Sequence, residues 1–115
     1  MSSDFHQQLR KKMDDCVHSV YRMSRGFPRE ELYGVTSQIR RAVLLIVLNY
    51  VEGFARQKDK VMKNFYSISY DSLKETKYLL QFCIKENYIT KEDYEVVVKL
   101  VDDIGAMLWP IMKEK

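Results

Sequence analysis

The sequence predicts an all-α protein, an antiparallel up-down-up-down four-helix bundle in which residues 1–115 form one domain. Three observations carry the prediction. Apolar residues recur at steps of three and four along four segments of about 20 residues each. The chain has only four glycines and two prolines, and Gly26 and Gly34 bracket one connection with Pro28 inside it. No Asn-Gly or Asp-Gly turn and no sustained alternation of apolar and polar residues argues for strands.

The first helix is expected from about Asp4 to Arg25, with Phe5, Leu9, Met13, Cys16, Val20 and Met23 on one face. Ser3 or Asp4 is the expected cap of its first amides. Gly26 ends it, and Phe27-Pro28 forces an extended exit. The second helix starts after Gly34, with Thr36 or Ser37 as its expected cap, and runs to about Lys58. The third runs from Asp59 to about Asn87 with Met62, Phe65, Ser69, Leu73, Thr76, Leu80 and Cys83 in one row. Its small residues Ser69 and Thr76 admit a close neighbour, or else bond to the preceding turn. The clearest boundary is "NYITKEDYE": Thr90 caps, Asp93 stands at the third helical position, and Ile89 can staple onto Tyr94. The fourth helix then runs from Lys91 to about Met112, with Tyr94, Val97, Val101, Ile104, Leu108 and Ile111 as its seam, and Pro110 kinks or ends its last turn.

The second helix breaks the pattern. From Ala42 to Leu48 it is apolar all round, so it needs cover on more than one side. A helix in a four-helix monomer keeps one side wet. The simplest remedy is another copy of the chain, a homo-oligomer. The same helix carries Arg41, Asn49, Glu52 and Arg56 within one stripe, read as a structural polar network in which Glu52 is no catalyst. Gly53 costs about 1 kcal/mol in a helix interior, which close approach of another helix would offset.

Composition excludes several function classes. Hydrophobic residues make up 46% and charged ones 30%, which suits a globular chain rather than a disordered one. The N-terminal MSSDFHQQLRKK has no apolar core of a secretory signal, and no run reaches the roughly 18 apolar residues of a membrane span. A cytoplasmic location is the expectation. Cys16 and Cys83 sit in apolar helical patterns and read as buried reduced thiols. His6 and His18 lack partners at metal-ligand spacing, so neither a metal nor a cofactor is expected. With no phosphate loop and no paired acids, no enzymatic activity is expected either.

Charge is uneven. Residues 1–58 carry ten Lys or Arg against six Asp or Glu, a net of +4, while residues 59–115 carry nine against ten, a net of −1. All seven arginines precede residue 57. Arginine grips phosphate and carboxylate in two-point contacts, so the bias suggests a recognition face; the other reading is a solvated surface with internal ion pairs. The candidate nucleic-acid-binding residues are Arg10, Lys11, Lys12, Arg22, Arg25, Arg29 and Arg40. Tyr21, Tyr33 and Tyr50 can stack on bases or serve as core and interface residues.

The stretch "FPREELYGVTSQIRRAVLLIVLNYVEGFARQ" resembles the signature of the four helix bundle proteins also called 23S rRNA intervening-sequence proteins. The matching residues are Pro28, Tyr33, Gly34, Gln38, Arg40, Arg41 and Ala42, then Asn49, Glu52 and Gly53. Ser72 and Glu75, followed by Tyr88 and Ile89, continue the likeness, which covers about residues 20–112. Asp71 departs from the usual small residue, and Leu45, Val47 and Leu48 stand where the family carries smaller ones. The resemblance implies a cytoplasmic bacterial protein in a ring-like homo-oligomer, often a pentamer, and for most members no activity is established. The functional expectation is a non-enzymatic oligomeric binding protein that contacts RNA or a nucleic-acid-processing protein through a basic surface. The alternative is a structural assembly module with no nucleic-acid role.

Overall fold

Helix α1 spans Ser3–Ser24, α2 Val35–Phe54, α3 Asp59–Lys85 and α4 Lys91–Lys113 in the computed structural model, which describes residues 2–113. A single 3-10 turn, Arg29–Glu31, lies between α1 and α2.

Local chemistry sets each boundary, and several differ from the sequence expectation. α1 is capped by Ser2, whose Oγ accepts from the Phe5 amide at 3.2 Å, rather than by Ser3 or Asp4, which are already helical. α2 is capped by neither Thr36 nor Ser37. Gly34 occupies the cap position without a side chain to offer, and the Glu31 carboxylate reaches forward from the 3-10 turn to accept from the Val35 amide at 3.3 Å. α2 also ends at Phe54, four residues before the expected Lys58. α3 ends at Lys85, where Asn87 turns left-handed at φ 61°. The Tyr88 amide returns to the Cys83 carbonyl at 2.9 Å and the Asn87 amide to Ile84 at 3.1 Å, a double closure that satisfies two carbonyls of the last turn. Thr90 caps α4 as expected, its Oγ1 accepting from the Asp93 amide at 3.1 Å. Pro110 lies inside α4 without ending it.

The helices pack in the ring α1–α2–α3–α4, and the α2–α3 seam is the most extensive. Cross-helix contacts give the directions. Along α2 and α3, Gly53 meets Tyr66 and Ile46 meets Ser69. Along α3 and α4, Tyr70 meets Trp109 and Lys77 meets Asp102. His6 meets Phe54 and Ser24 meets Arg40 between α1 and α2. In each pair one index rises as the other falls, so neighbouring helices run antiparallel. The interior is filled by Leu9, Met13, Cys16 and Val20 from α1, Ile39, Val43 and Ile46 from α2, Tyr66, Leu80 and Cys83 from α3, and Ile104 and Leu108 from α4.

The small residues of α3 take different roles. Ser69 Oγ donates across the seam to the Ile46 carbonyl at 2.6 Å. Thr76 Oγ1 stays local and donates to the Ser72 carbonyl at 2.8 Å. The greasy stretch of α2 divides: Ala42, Val43, Ile46 and Val47 are buried, Leu44 and Leu45 are half-buried, and Leu48 is 54% exposed. Leu48 and Val51 on α2, with Val61 and Ile68 on α3, leave apolar surface in water.

Candidate nucleic-acid interface

The seven candidate cations separate into two groups. Along the first half of α1, cations face carboxylates one turn away or across a seam. Arg10 pairs with Asp14 at 3.4 Å, Lys11 with Asp15 at 3.2 Å, and Lys12 with Asp103 of α4 at 3.5 Å. Lys99 shares Asp103 at 3.3 Å, and the Lys99 hydrogen bond together with the field of both ammonium groups holds that carboxyl below its usual range. Each of these cations has a carboxylate within 3.5 Å.

The second group lies where α1 hands over to α2. Arg22, Arg25 and Arg29 are exposed and form no ion pair among the described residues. Arg22 reaches only the Ser19 hydroxyl, at 3.4 Å. The chain reverses here because Gly26 and Pro28 end α1, so the three arginines project around one corner of the bundle. The facing corner, where α3 hands over to α4, is net acidic, with Glu86, Glu92, Asp93 and Glu95 exposed beside Lys85 and Lys91. One end of the bundle is therefore electrically two-sided.

Arg40 stands just inside the basic corner. Its Nε donates to Ser24 Oγ at 2.7 Å, and Ser24 Oγ in turn donates to the Tyr21 carbonyl at 3.1 Å. Its guanidinium lies 4.9 Å from the centre of the Tyr21 ring. Beside it runs a groove of about 600 Å³ lined by Tyr21, Tyr33, Thr36, Ser37, Arg40 and Arg41, and continued by leucines of α2. Of the three tyrosines the sequence offers for stacking, Tyr33 is 93% exposed, Tyr21 lies beneath Arg40, and Tyr50 is buried. Tyr50 instead stacks on Tyr66 at 5.5 Å and places its hydroxyl 2.5 Å from His6 Nδ1. Burial pushes the Tyr50 phenol up and the His6 imidazole down.

The expected network of Arg41, Asn49, Glu52 and Arg56 is corrected by the geometry. Arg56 pairs with Glu52, and its guanidinium lies 5.2 Å from the centre of the Phe65 ring. Both partners are about half exposed, at 44% and 52%. Asn49 Nδ2 donates to its own helix at the Leu45 carbonyl, 2.9 Å away. Arg41 is exposed and touches none of the other three by hydrogen bond or ion pair among the described residues. The stripe opens to solvent on its outer side, so local pairing replaces one connected network. Sequence reasoning also missed Thr36 as a member of the groove and Ser24 as the tether of Arg40. The i, i+4 spacing of Thr36 and Arg40 was the available signal, masked by reading Thr36 as a cap.

Cys16 and Cys83 are free and buried. Desolvation pushes the Cys16 thiol up to about 12, and desolvation with the nearby Glu31 charge pushes Cys83 up to about 11. No group of three His, Cys, Asp or Glu able to hold a metal ion occurs among the described residues. No helix among them is long and apolar enough to cross a membrane.

Comparison with known proteins bears on this geometry in two ways. A family model described as 23S rRNA-intervening sequence protein matches residues 6–109. Among solved structures, a protein with unknown function from the S23 ribosomal protein family of Bacteroides thetaiotaomicron VPI-5482 is similar with a TM-score of 0.84. It is 24% identical over 91% of this chain and 98% of that one, a likeness of fold. No curated protein matches.

Proposed function

Because the chain belongs to the 23S rRNA-intervening sequence protein family, we propose that it is a non-enzymatic, cytoplasmic, oligomeric protein that binds RNA through the basic corner between α1 and α2. The observation that carries this reading is the sorting of charge. Arg10, Lys11 and Lys12 are answered by Asp14, Asp15 and Asp103, while Arg22, Arg25 and Arg29 form no ion pair among the described residues. Cations without internal partners release counterions from a phosphate backbone and supply affinity without reading sequence. Repetition of the corner around a ring, a pentamer by analogy with the family, would multiply weak contacts.

The apolar surface of Leu48, Val51, Val61 and Ile68 supports self-association along the outer side of α2 and α3. That surface also favours a second reading, an assembly module whose partner is a protein and for which RNA is irrelevant.

Retention on immobilised RNA as a function of salt separates the two readings. Reversing the basic corner with Arg22→Glu and Arg25→Glu should abolish retention while the oligomer persists. Reversing Lys58 and Lys60 at the opposite end should change it little. Each phosphate contact removed should flatten the salt dependence by about one unit of slope. Equal loss from both pairs means charge is read only in bulk, and no retention at low salt leaves the assembly reading.

A further inference from the structure

We infer that the groove between the first turns of α1 and the last turn of α2 binds an uncharged planar ring carrying a carbonyl oxygen, with Phe54 as the face it stacks on and His6 Nε2–H as the donor to that oxygen. The groove measures about 730 Å³, and its walls include His6, Gln7, Arg10 and Lys11 of α1 and Tyr50 and Phe54 of α2. Its volume falls in the range of small-molecule sites. It lies at the end of the bundle opposite the basic corner, so it stands apart from the RNA reading.

The first observation is the state of His6. The Tyr50 hydroxyl stands 2.5 Å from His6 Nδ1. Tyr50 is 3% exposed, and its hydroxyl makes no other hydrogen bond among the described residues. Were Nδ1 the donor, the phenolic proton would be buried without an acceptor, a cost that native structures rarely leave in place. The phenol therefore donates and Nδ1 accepts, which puts the imidazole proton on Nε2. Burial holds the imidazole below its ordinary value and the phenol above its own, so both groups are uncharged at neutral pH. Nε2–H meets no partner among the described residues, and His6 forms part of the wall of an open groove.

The second observation is the arrangement of rings. His6 is held by three of them: Phe5 meets it edge-on at 5.4 Å, Tyr50 stacks at 5.9 Å, and Phe54 lies tilted at 4.8 Å. Tyr50 is fixed in turn by its stack on the buried Tyr66. The donor is thus oriented before any ligand arrives, and less freedom is lost on binding. Phe54, the last residue of α2, is 56% exposed, which leaves part of its ring to water. A flat apolar ligand laid on that ring removes the exposed surface and gains an offset stack.

The third observation sets the charge of the ligand. Arg10 and Lys11 stand at the rim, but each already faces a carboxylate, Asp14 at 3.4 Å and Asp15 at 3.2 Å. The rim is balanced, so an ion entering the groove would shed water without finding an unpaired counter-charge. A carbonyl oxygen asks only for a donor, and His6 offers one.

The test follows the His6 ring signals by NMR in the full-length protein. His18, the other histidine, is exposed on α1 and serves as the internal reference. In the free protein the ring nitrogens of His6 should show the Nε2–H tautomer, and Tyr50→Phe, which keeps the stack but removes the phenolic proton, should admit the other tautomer as well. Titration with 2-naphthamide should move the His6 signals saturably and leave His18 still. The same ring bearing an ammonium in place of the carbonyl, 2-naphthylmethylamine, should move neither. Calorimetry then compares variants. His6→Phe keeps a ring but removes the donor and should weaken 2-naphthamide binding about tenfold. Phe54→Ala removes the stacking face at an exposed position and should weaken it about tenfold as well. Both variants should keep the circular dichroism and the mass of the unmodified protein. The Nδ1–H tautomer in the free protein, the absence of a saturable shift, or equal binding of the amine would each overturn the site. So would an affinity for 2-naphthamide that neither His6→Phe nor Phe54→Ala changes.

Discussion

Gly53 lies against the ring of Tyr66. A Cβ built on the glycine would stand 2.8 Å from Tyr66 Cε1, 2.9 Å from Cδ1 and 3.0 Å from the Met62 carbonyl oxygen. The α2–α3 seam closes at this point because α2 has no side chain there. The same approach allows the Ser69 hydroxyl, one turn further along α3, to reach the Ile46 carbonyl.

Gly53→Ala should therefore destabilise the fold, although alanine is the better helix former. Helix propensity favours the change by about 1 kcal/mol. Overpacking opposes it by about 1–3 kcal/mol, and the neighbours have little room to yield, since one is backbone and Tyr66 is buried in a stack with Tyr50. The expected net loss is about 1 kcal/mol, read from urea denaturation. A gain in stability would mean that the seam opens freely.

Glu52→Ala should cost little. A buried pair broken on one side would lose several kcal/mol, but Glu52 and Arg56 are half exposed. An exposed i, i+4 pair contributes about 0.5 kcal/mol or less. Thermal melts of the variant at low and high salt check this, with the small difference vanishing as salt rises.

Leu48→Glu should leave the helices intact and break self-association. Leu48 is 54% exposed in the single chain, so its replacement removes no core contact of consequence. A carboxylate there would be buried unpaired in any interface across α2. Light scattering should give a mass several times 13.7 kDa for the unmodified protein and 13.7 kDa for the variant. A monomeric unmodified protein would contradict the expectation.

Stability should fall in alkali. Cys16 and Cys83 are raised by the fold to about 12 and about 11 from an ordinary value of 9.0. A raised thiol favours the folded state fully below the unfolded value. That advantage is lost as pH climbs from about 9 through the folded values, because the unfolded chain ionises first. Denaturation midpoints should drop above about pH 9, and a Cys16→Ala, Cys83→Ala protein should lose part of that dependence. Native thiols should resist alkylation at pH 8 and react in denaturant.

The sequence by itself determined the four helices, the capping of α4 by Thr90 and the need of Gly53 for a close neighbour. Helical periodicity and capping are local, and each can be read within a window of a few residues. The inner faces of α1, α3 and α4 were legible for the same reason, since Leu9, Met13, Leu80 and Ile104 recur at the spacing that one buried side imposes, whereas α2, apolar all round, showed no single face. Only the tertiary structure decided how the polar residues divide. Arg10 and Lys11 found acids one turn away, Lys12 found Asp103 ninety-one residues on, and Arg22, Arg25 and Arg29 found none. Glu52, expected in one polar network with Arg41, Asn49 and Arg56, pairs with Arg56 alone, on a side of α2 that the rest of the chain leaves open. Thr36, expected to cap, is turned inward because Glu31 supplies the cap from a 3-10 turn with no strong sequence signal. The physical reason is range. A hydrogen bond or ion pair depends on which groups meet within about 3–4 Å, and in a bundle those groups come from helices far apart in the chain.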